Sequence, residues 1–208
     1  ECIGDAAEVP LIACKAHLEE SFDAALDPAV WTIKGSASWD SNGWLELTGV
    51  SQGQLGQIVN VANYVQQGHA RMKFDVATGG GSIPGADGFA MTIFEIDTPE
   101  ELNTVIAGAV SGGGLGYGVA GTYGPWDGKA FTVEIDTWFN EFNGTTQKHS
   151  DPTEEDHLEI TLNGDPGNSM AWTPVPDIED LQWRTIEVQL LPGKLLVFIN
   201  GVLSIEQV

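Results

Sequence analysis

FTVEIDTWFNEFNGTTQKHSDPTEEDHLEI, running from Phe131 to Ile160, decides how the rest of the chain is read. Side chains alternate along a strand, so Phe131, Val133 and Ile135 share one face while Thr132, Glu134 and Asp136 share the other. After Asp136 the alternation gives way to Trp138, Asn140, an irregular polar loop, Asp151-Pro152 and His157, where a second apolar run begins. Glutamate, aspartate, a main-chain carbonyl, asparagine, aspartate and histidine suit a divalent metal better than a core. Oxygen donors alone favour calcium, whereas a neutral imidazole beside carboxylates favours a transition metal such as manganese. These donors exceed what one small ion needs, and bridging carboxylates make two neighbouring ions the economical arrangement. A merely solvated acidic loop would also be natural in a chain with 30 acidic and 8 basic residues. Such a loop has no reason to combine strand alternation with a histidine after Asp-Pro.

Working outward, composition limits the possibilities. A chain of 208 residues, 42% hydrophobic, can bury one sizeable core, and its 26 glycines and 10 prolines cut the apolar runs into strand lengths. The expected class is all-β. No run approaches the roughly 18 apolar residues that span a bilayer. A net charge of −22 argues against nucleic acid, because a binder of phosphate needs clustered Lys and Arg; anionic membranes are disfavoured for the same reason. Cys2 and Cys14 are the only cysteines and are expected to form a disulfide stapling the terminus, with free thiols as the alternative. That pairing points to a secreted or cell-surface, extracellular protein. No charged-then-apolar leader precedes Cys2, which fits a signal peptide that is absent or already removed. Residues 1–20 are read as an N-terminal segment, with one or two helical turns between Leu11 and Glu20, and residues 21–208 as the domain.

Upstream of the central stretch, Phe22, Trp31, Trp39 and Trp44 lie on short runs broken by Gly35 and Gly43, and are expected to fill the core of a sandwich. Gly56–Val65 and Ala70–Val76 are strand candidates; His69, at the start of the second, is read as a solvated turn residue. GGGSIPG is a loop, ADGFAMTIFEID a buried strand behind a small turn, and Asp97–Val110 either a short helix or a loop. Downstream, LEITLNGD continues as a strand and a proline-bearing loop follows. WRTIEVQLL and KLLVFINGV then flank Pro192-Gly193 as a β-hairpin.

Three elements in order resemble the L-type (legume-type) lectins, whose fold is the concanavalin-like sandwich. They are Ala86-Asp87-Gly88, then Gly112-Gly113-Gly114-Leu115-Gly116, then Glu134-x-Asp136-x-Trp138-x-Asn140 with Asp151-Pro152 and His157. The resemblance spans about Phe22 to Val202 and implies a jelly-roll of two antiparallel sheets, in a secreted, bacterial member that does not show the family's last strands. It implies calcium held by Asp136, the Trp138 carbonyl, Asn140 and Asp151, and a manganese or other transition ion held by Glu134, Asp136, Asp151 and His157. In the family the asparagine and second aspartate are only a few residues apart. Here Glu141 to Ser150 intervene, which makes Asp156 a competitor to Asp151. The implied partner is a carbohydrate: Asp87, preceded by a cis peptide, would accept from sugar hydroxyls, Gly113 and Gly114 would offer a main-chain N–H, Asn140 would donate its amide, and the Trp138 ring would stack on the sugar.

Two other functions compete. Glycoside hydrolases of the same sandwich need two carboxylates flanking the scissile bond; the related glucanases carry a third acid where this chain has Trp138 and Phe139, so the catalytic set is incomplete and no catalytic residue is expected. A plain structural or adhesion domain is the other.

Overall fold

The computed structural model describes residues 18–63, 69–81, 85–118, 130–141 and 150–208. Cys2, Cys14 and most of the N-terminal segment lie outside these residues, as do 64–68 at the end of the expected strand beginning at Gly56, and 142–149 in the polar loop.

Among the described residues, twelve strands and one α-helix follow in chain order. They are β1 (Trp31–Gly35), β2 (Ser38–Asp40), β3 (Trp44–Glu46), β4 (Gly56–Asn60), β5 (Ala70–Val76), β6 (Gly88–Phe94), α1 (Pro99–Gly108), β7 (Ala130–Asp136), β8 (His157–Leu162), β9 (Ser169–Pro174), β10 (Arg184–Leu191), β11 (Lys194–Ile199) and β12 (Val202–Gln207). Two four-stranded antiparallel sheets, ordered β6-β7-β8-β9 and β12-β11-β10-β5, pack face to face as a lectin-like jelly-roll sandwich. β1 pairs with β4, and β2 with β3.

The core follows from alternation. Val133 and Ile135 of β7 and Leu158 and Ile160 of β8 turn inward to meet Ile186 and Val188 of β10, Val197 of β11 and Ile205 of β12, with Ile178 closing one end. Removing each such side chain from water contributes about 1.5–3 kcal/mol. Since both β7 and β8 are central strands, the residues between the core positions all face the opposite side of one sheet. There Glu134 stands opposite Glu159 and Asp136 opposite His157.

Two sequence expectations are refined, one is met, and one hairpin is new. Asp97–Val110 resolves into helix α1. Its start is encoded locally: Thr98 Oγ1 accepts the Glu101 N–H at 3.2 Å, Glu101 accepts the Asp97 N–H at 2.8 Å, and Pro99 opens the first turn. The hairpin across Pro192-Gly193 forms as expected. A second hairpin, joining β11 to β12 through Asn200-Gly201, was not foreseen, although both residues adopt positive φ (50° and 77°), as the preferred two-residue turn requires. The proline-bearing loop contains edge strand β9, which tolerates Pro174 because that residue ends the strand.

The early aromatics depart from expectation. Trp44 is exposed, Trp31 and Trp39 are half-buried, and none joins the central core. They belong to the two-stranded pairs, where Trp39 Nε1 donates to the Phe22 carbonyl at 2.7 Å. His69 is exposed, as expected of a turn residue. Among the described residues no helix is long and apolar enough to cross a membrane.

Candidate functional site

The site lies where β6 begins and β7 ends. Gly88 pairs with Asp136, and its φ of +138° and its approach to β7 both exclude a side chain: a Cβ there would lie 2.1 Å from the Ile135 carbonyl oxygen. The Ala86–Asp87 peptide is cis. The Asp87 carbonyl accepts the Thr137 N–H at 2.9 Å, which fastens this turn to the end of β7. β7 itself stops as an Asx turn, Asp136 Oδ1 accepting the Trp138 N–H at 2.8 Å. The Trp138 ring is left 44% exposed beside it.

Asn140 is the junction. Its main chain forms a reciprocal pair with Asp151: the Asn140 N–H donates to Asp151 Oδ2, and the Asp151 N–H donates to the Asn140 carbonyl at 3.2 Å. The inserted residues therefore do not separate the two, and the competitor Asp156 lies with Asp177 and Glu179 instead. The Asn140 side chain hydrogen-bonds to Asp87, a carboxylate that can only accept when ionised, so the amide NH₂ is the donor. Its Oδ1 is buried with no hydrogen-bond partner. Gly113, buried in the 3₁₀ turn Gly112–Gly114, packs so closely that a Cβ would stand 2.4 Å from that oxygen. Gly114 is buried too, and its carbonyl accepts from the Tyr117 and Gly118 N–H groups.

The electrostatics are those of acids crowded without compensation. Burial pushes Asp136 up to about 8, helped by the charge of Asp151 and opposed by the Trp138 N–H. Burial pushes Asp151 up to about 6 against the Asn140 N–H and His157, and raises Asp87 against its bond from Asn140. Glu134 is driven well above the carboxylate range by burial and by Glu159, with Tyr117 opposing. Tyr117 Oη donates to Glu134 Oε2 at 2.5 Å and stands 2.9 Å from Thr161 Oγ1. For His157 burial works downward and is outweighed by Glu159, the Glu155 carbonyl and Asp136, so its pKa rises.

Of the six expected metal ligands, Glu134, Asp136 and His157 are buried, while Asn140 and Asp151 are half-buried and Trp138 is exposed, so that these last three form the open end of the set. The six are not drawn into a tight cluster. Among the described residues the one group of three or more acid or imidazole donors within 4.8 Å of one another is Asp156, Asp177 and Glu179. Even so, the orphaned Asn140 oxygen and the raised carboxylates make the open end a donor set that fits a hard oxygen-seeking cation. Three residues were missed: Tyr117, Glu159 and Thr161. The period of two in HLEIT already placed Glu159 and Thr161 on the face of His157, whereas Tyr117 arrives from a distant loop.

Glu134 and Glu159 confront each other across β7 and β8, but they are 2% and 1% exposed under Tyr117, so no sugar can come between them.

No protein family matches the sequence, and no curated protein does. Among solved structures the fold is similar to the exoplasmic/lumenal domain of VIP36. Its Ca²⁺-bound form superposes with a TM-score of 0.56 at 15% identity, covering 86% of this chain and 69% of that one. The metal-free form gives 0.57 at 15% identity over 88% and 71%, and the Ca²⁺/Man₃GlcNAc-bound form 0.57 at 14% over 85% and 69%. At such identities the likeness establishes the architecture alone: this chain has a lectin-like β-sandwich fold.

Proposed function

We propose that this chain is a calcium-dependent carbohydrate-binding domain, with a shallow sugar site beside the cation. The observation that carries the reading is the Asn140 side chain, whose NH₂ reaches Asp87 while its oxygen is buried without a partner. A calcium ion would supply a positive charge for that oxygen and for Asp136, Asp151 and the Trp138 carbonyl. Asn140 would then be fixed with its amide toward the ligand, the metal orienting the group that binds. Asp87 would accept from two sugar hydroxyls, a main-chain N–H of Gly113 or Gly114 would donate to one of them, and the exposed Trp138 ring would stack on the apolar sugar face. A second, transition ion expected from the resemblance would draw on Glu134, Asp136, Asp151 and His157. The VIP36 domain is described in Ca²⁺/Man-bound and Ca²⁺/Man₂-bound forms, which makes mannose-bearing glycans the first probes and an extracellular or lumenal location the natural setting.

So few contacts predict weak single-site binding, with Kd of roughly 0.1–1 mM. The test is a glycan array with calcium and with chelator, followed by titration of a positive glycan into wild type and Asp87→Ala. Removing one charge-assisted group should cost about 1.5–3 kcal/mol, enough to make such binding undetectable. Equal binding by a folded, calcium-loaded Asp87→Ala protein would place the sugar elsewhere.

A further inference from the structure

Ile178 closes one end of the core, and the residue after it does something different. Glu179 reaches the loop that carries Asp87: its Oε2 accepts the Gly85 N–H at 2.9 Å, across 94 positions of sequence. The acceptor is a carboxylate, and a hydrogen bond to an ionised group is roughly twice as strong as a neutral one. A Cβ on Gly85 would stand 1.7 Å from Glu179 Oε1, and the three atoms it would meet first all belong to this carboxyl group. Gly85 takes no left-handed φ, so the backbone there would accept an ordinary residue. What the position excludes is a side chain in the place that the Glu179 carboxylate fills.

Glu179 is itself held from both sides. Its N–H donates to Asp177 Oδ1 at 3.0 Å, and Asp180 forms an antiparallel bridge with Gly79. The Leu181 N–H donates to the Thr78 carbonyl at 2.8 Å, and Thr78 Oγ1 donates to the Ile178 carbonyl at 2.7 Å. Arg184 grips Asp180 with both Nη atoms, at 2.8 and 2.9 Å, and donates to the Ile178 and Gln182 carbonyls, each at 3.1 Å. This bracing keeps Leu181 at a φ of +60°, a conformation that a residue other than glycine holds only where its surroundings enforce it. The acidic trio of Asp156, Asp177 and Glu179 thereby acquires a use, since each gives an oxygen to a main-chain N–H: Asp156 to Ile178, Asp177 to Glu179, and Glu179 to Gly85.

The stretch from Gly79 to Gly88 holds five glycines, and their conformational freedom must be removed before Asp87 can offer oxygens in a fixed place. On the far side of Asp87 this is done by β7, through the bond from the Thr137 N–H to the Asp87 carbonyl and the pairing of Gly88 with Asp136. On the near side it is done by Glu179. We propose that Glu179 is a positioning residue of the sugar site: it fixes the turn at Gly85 so that Asp87 stands against the Asn140 amide, and it thereby sets glycan affinity while touching neither sugar nor calcium. The inference rests on the proposed function for its ligand. The contact that it governs, Asn140 with Asp87, is present without one.

The experiment uses the full chain in calcium, with three readouts: affinity for the array glycan that wild type binds most tightly, calcium affinity by titration calorimetry, and the Asn140 side-chain NH₂ and Gly85 N–H signals by ¹⁵N NMR. Glu179→Ala should weaken glycan binding by about tenfold or more, shift the Asn140 signal and expose the Gly85 N–H to solvent exchange, with calcium affinity within about threefold of wild type. Glu179→Gln keeps an acceptor for the Gly85 N–H and should bring glycan affinity back to within about threefold. Gly85→Ala, which displaces the carboxylate, should lose as much as Glu179→Ala. The double variant should lose no more than either, because one contact can be lost only once. Should Glu179→Ala fail to fold, Gly85→Ala is read in its place. Undiminished glycan affinity with an unmoved Asn140 signal in folded Glu179→Ala would overturn the proposal, and so would a Glu179→Gln protein as weak as Glu179→Ala. If wild type binds no glycan in calcium, the lectin reading fails and the Asn140 signal decides alone: moved by Glu179→Ala and restored by Glu179→Gln, it upholds Glu179 as the residue that places Asp87, and unmoved it overturns that role.

Discussion

Replacing Asp136 by asparagine should stabilise the metal-free protein and abolish its response to calcium. Asp136 is buried, and burial together with Asp151 raises its folded-state pKa to about 8 from 3.8. Stability linked to such a group is fully present below pH 3.8 and is lost as the pH rises through about 8. At pH 7 the metal-free folded state keeps the proton that the unfolded chain releases. At about 1.36 kcal/mol per pH unit, the gap between 3.8 and 7 sets a ceiling of roughly 4 kcal/mol on the penalty. Side-chain relaxation and water entry lower this, so we take about 2 kcal/mol as the gain from a permanently neutral side chain. Asparagine keeps the oxygen that accepts the Trp138 N–H, so the turn survives. In a domain of this size that gain corresponds to a Tm higher by about 4–8 °C in chelator. In calcium at a hundred times its Kd the order should reverse, because wild type gains about 2.7 kcal/mol and Asp136→Asn gains none. Differential scanning calorimetry of both proteins in chelator and in calcium tests the reasoning. An Asp136→Asn protein less stable than wild type in chelator would refute the electrostatic account, and one that still responds to calcium would refute the ligand assignment.

The remaining predictions concern the same site and the core. Calcium affinity should climb from pH 5 to pH 8, since protons must leave Asp151 near 6 and Asp136 near 8 before the ion binds; a flat affinity profile by titration calorimetry would contradict it. Gly113→Ala should weaken calcium-linked glycan binding at least tenfold with little loss of stability, because the new Cβ would stand 2.4 Å from Asn140 Oδ1. Unchanged glycan affinity would show that this contact does not position the amide. Ile160→Ala, at a fully buried core position, should cost about 2–5 kcal/mol in urea denaturation. A cost below 1 kcal/mol would mean that the two sheets do not meet there.

The sequence by itself determined the class of fold and the strand that carries the site. A period of two at Phe131–Asp136 separates Val133 and Ile135, which enter the core, from Glu134 and Asp136, which do not; alternation is a property of backbone geometry and needs no tertiary information. Turn chemistry likewise marks the hairpin at Pro192-Gly193, and local signals of the same kind stand at Asn200-Gly201 and at Thr98, where α1 starts. Only the tertiary structure decided which distant groups meet. That Asp151 rather than Asp156 joins Asn140 depends on how a loop closes, and loop closure is indifferent to sequence distance over a few residues. That Tyr117 caps Glu134, and that Gly113 abuts the Asn140 amide, depends on the Gly112–Gly118 segment packing over β7 and β8. The aromatics at 31, 39 and 44 carry the composition of a core, yet their strands pair apart from the two main sheets. Strand propensity sets which face a residue takes; which sheet the strand joins is a choice among long-range pairings that no local pattern encodes.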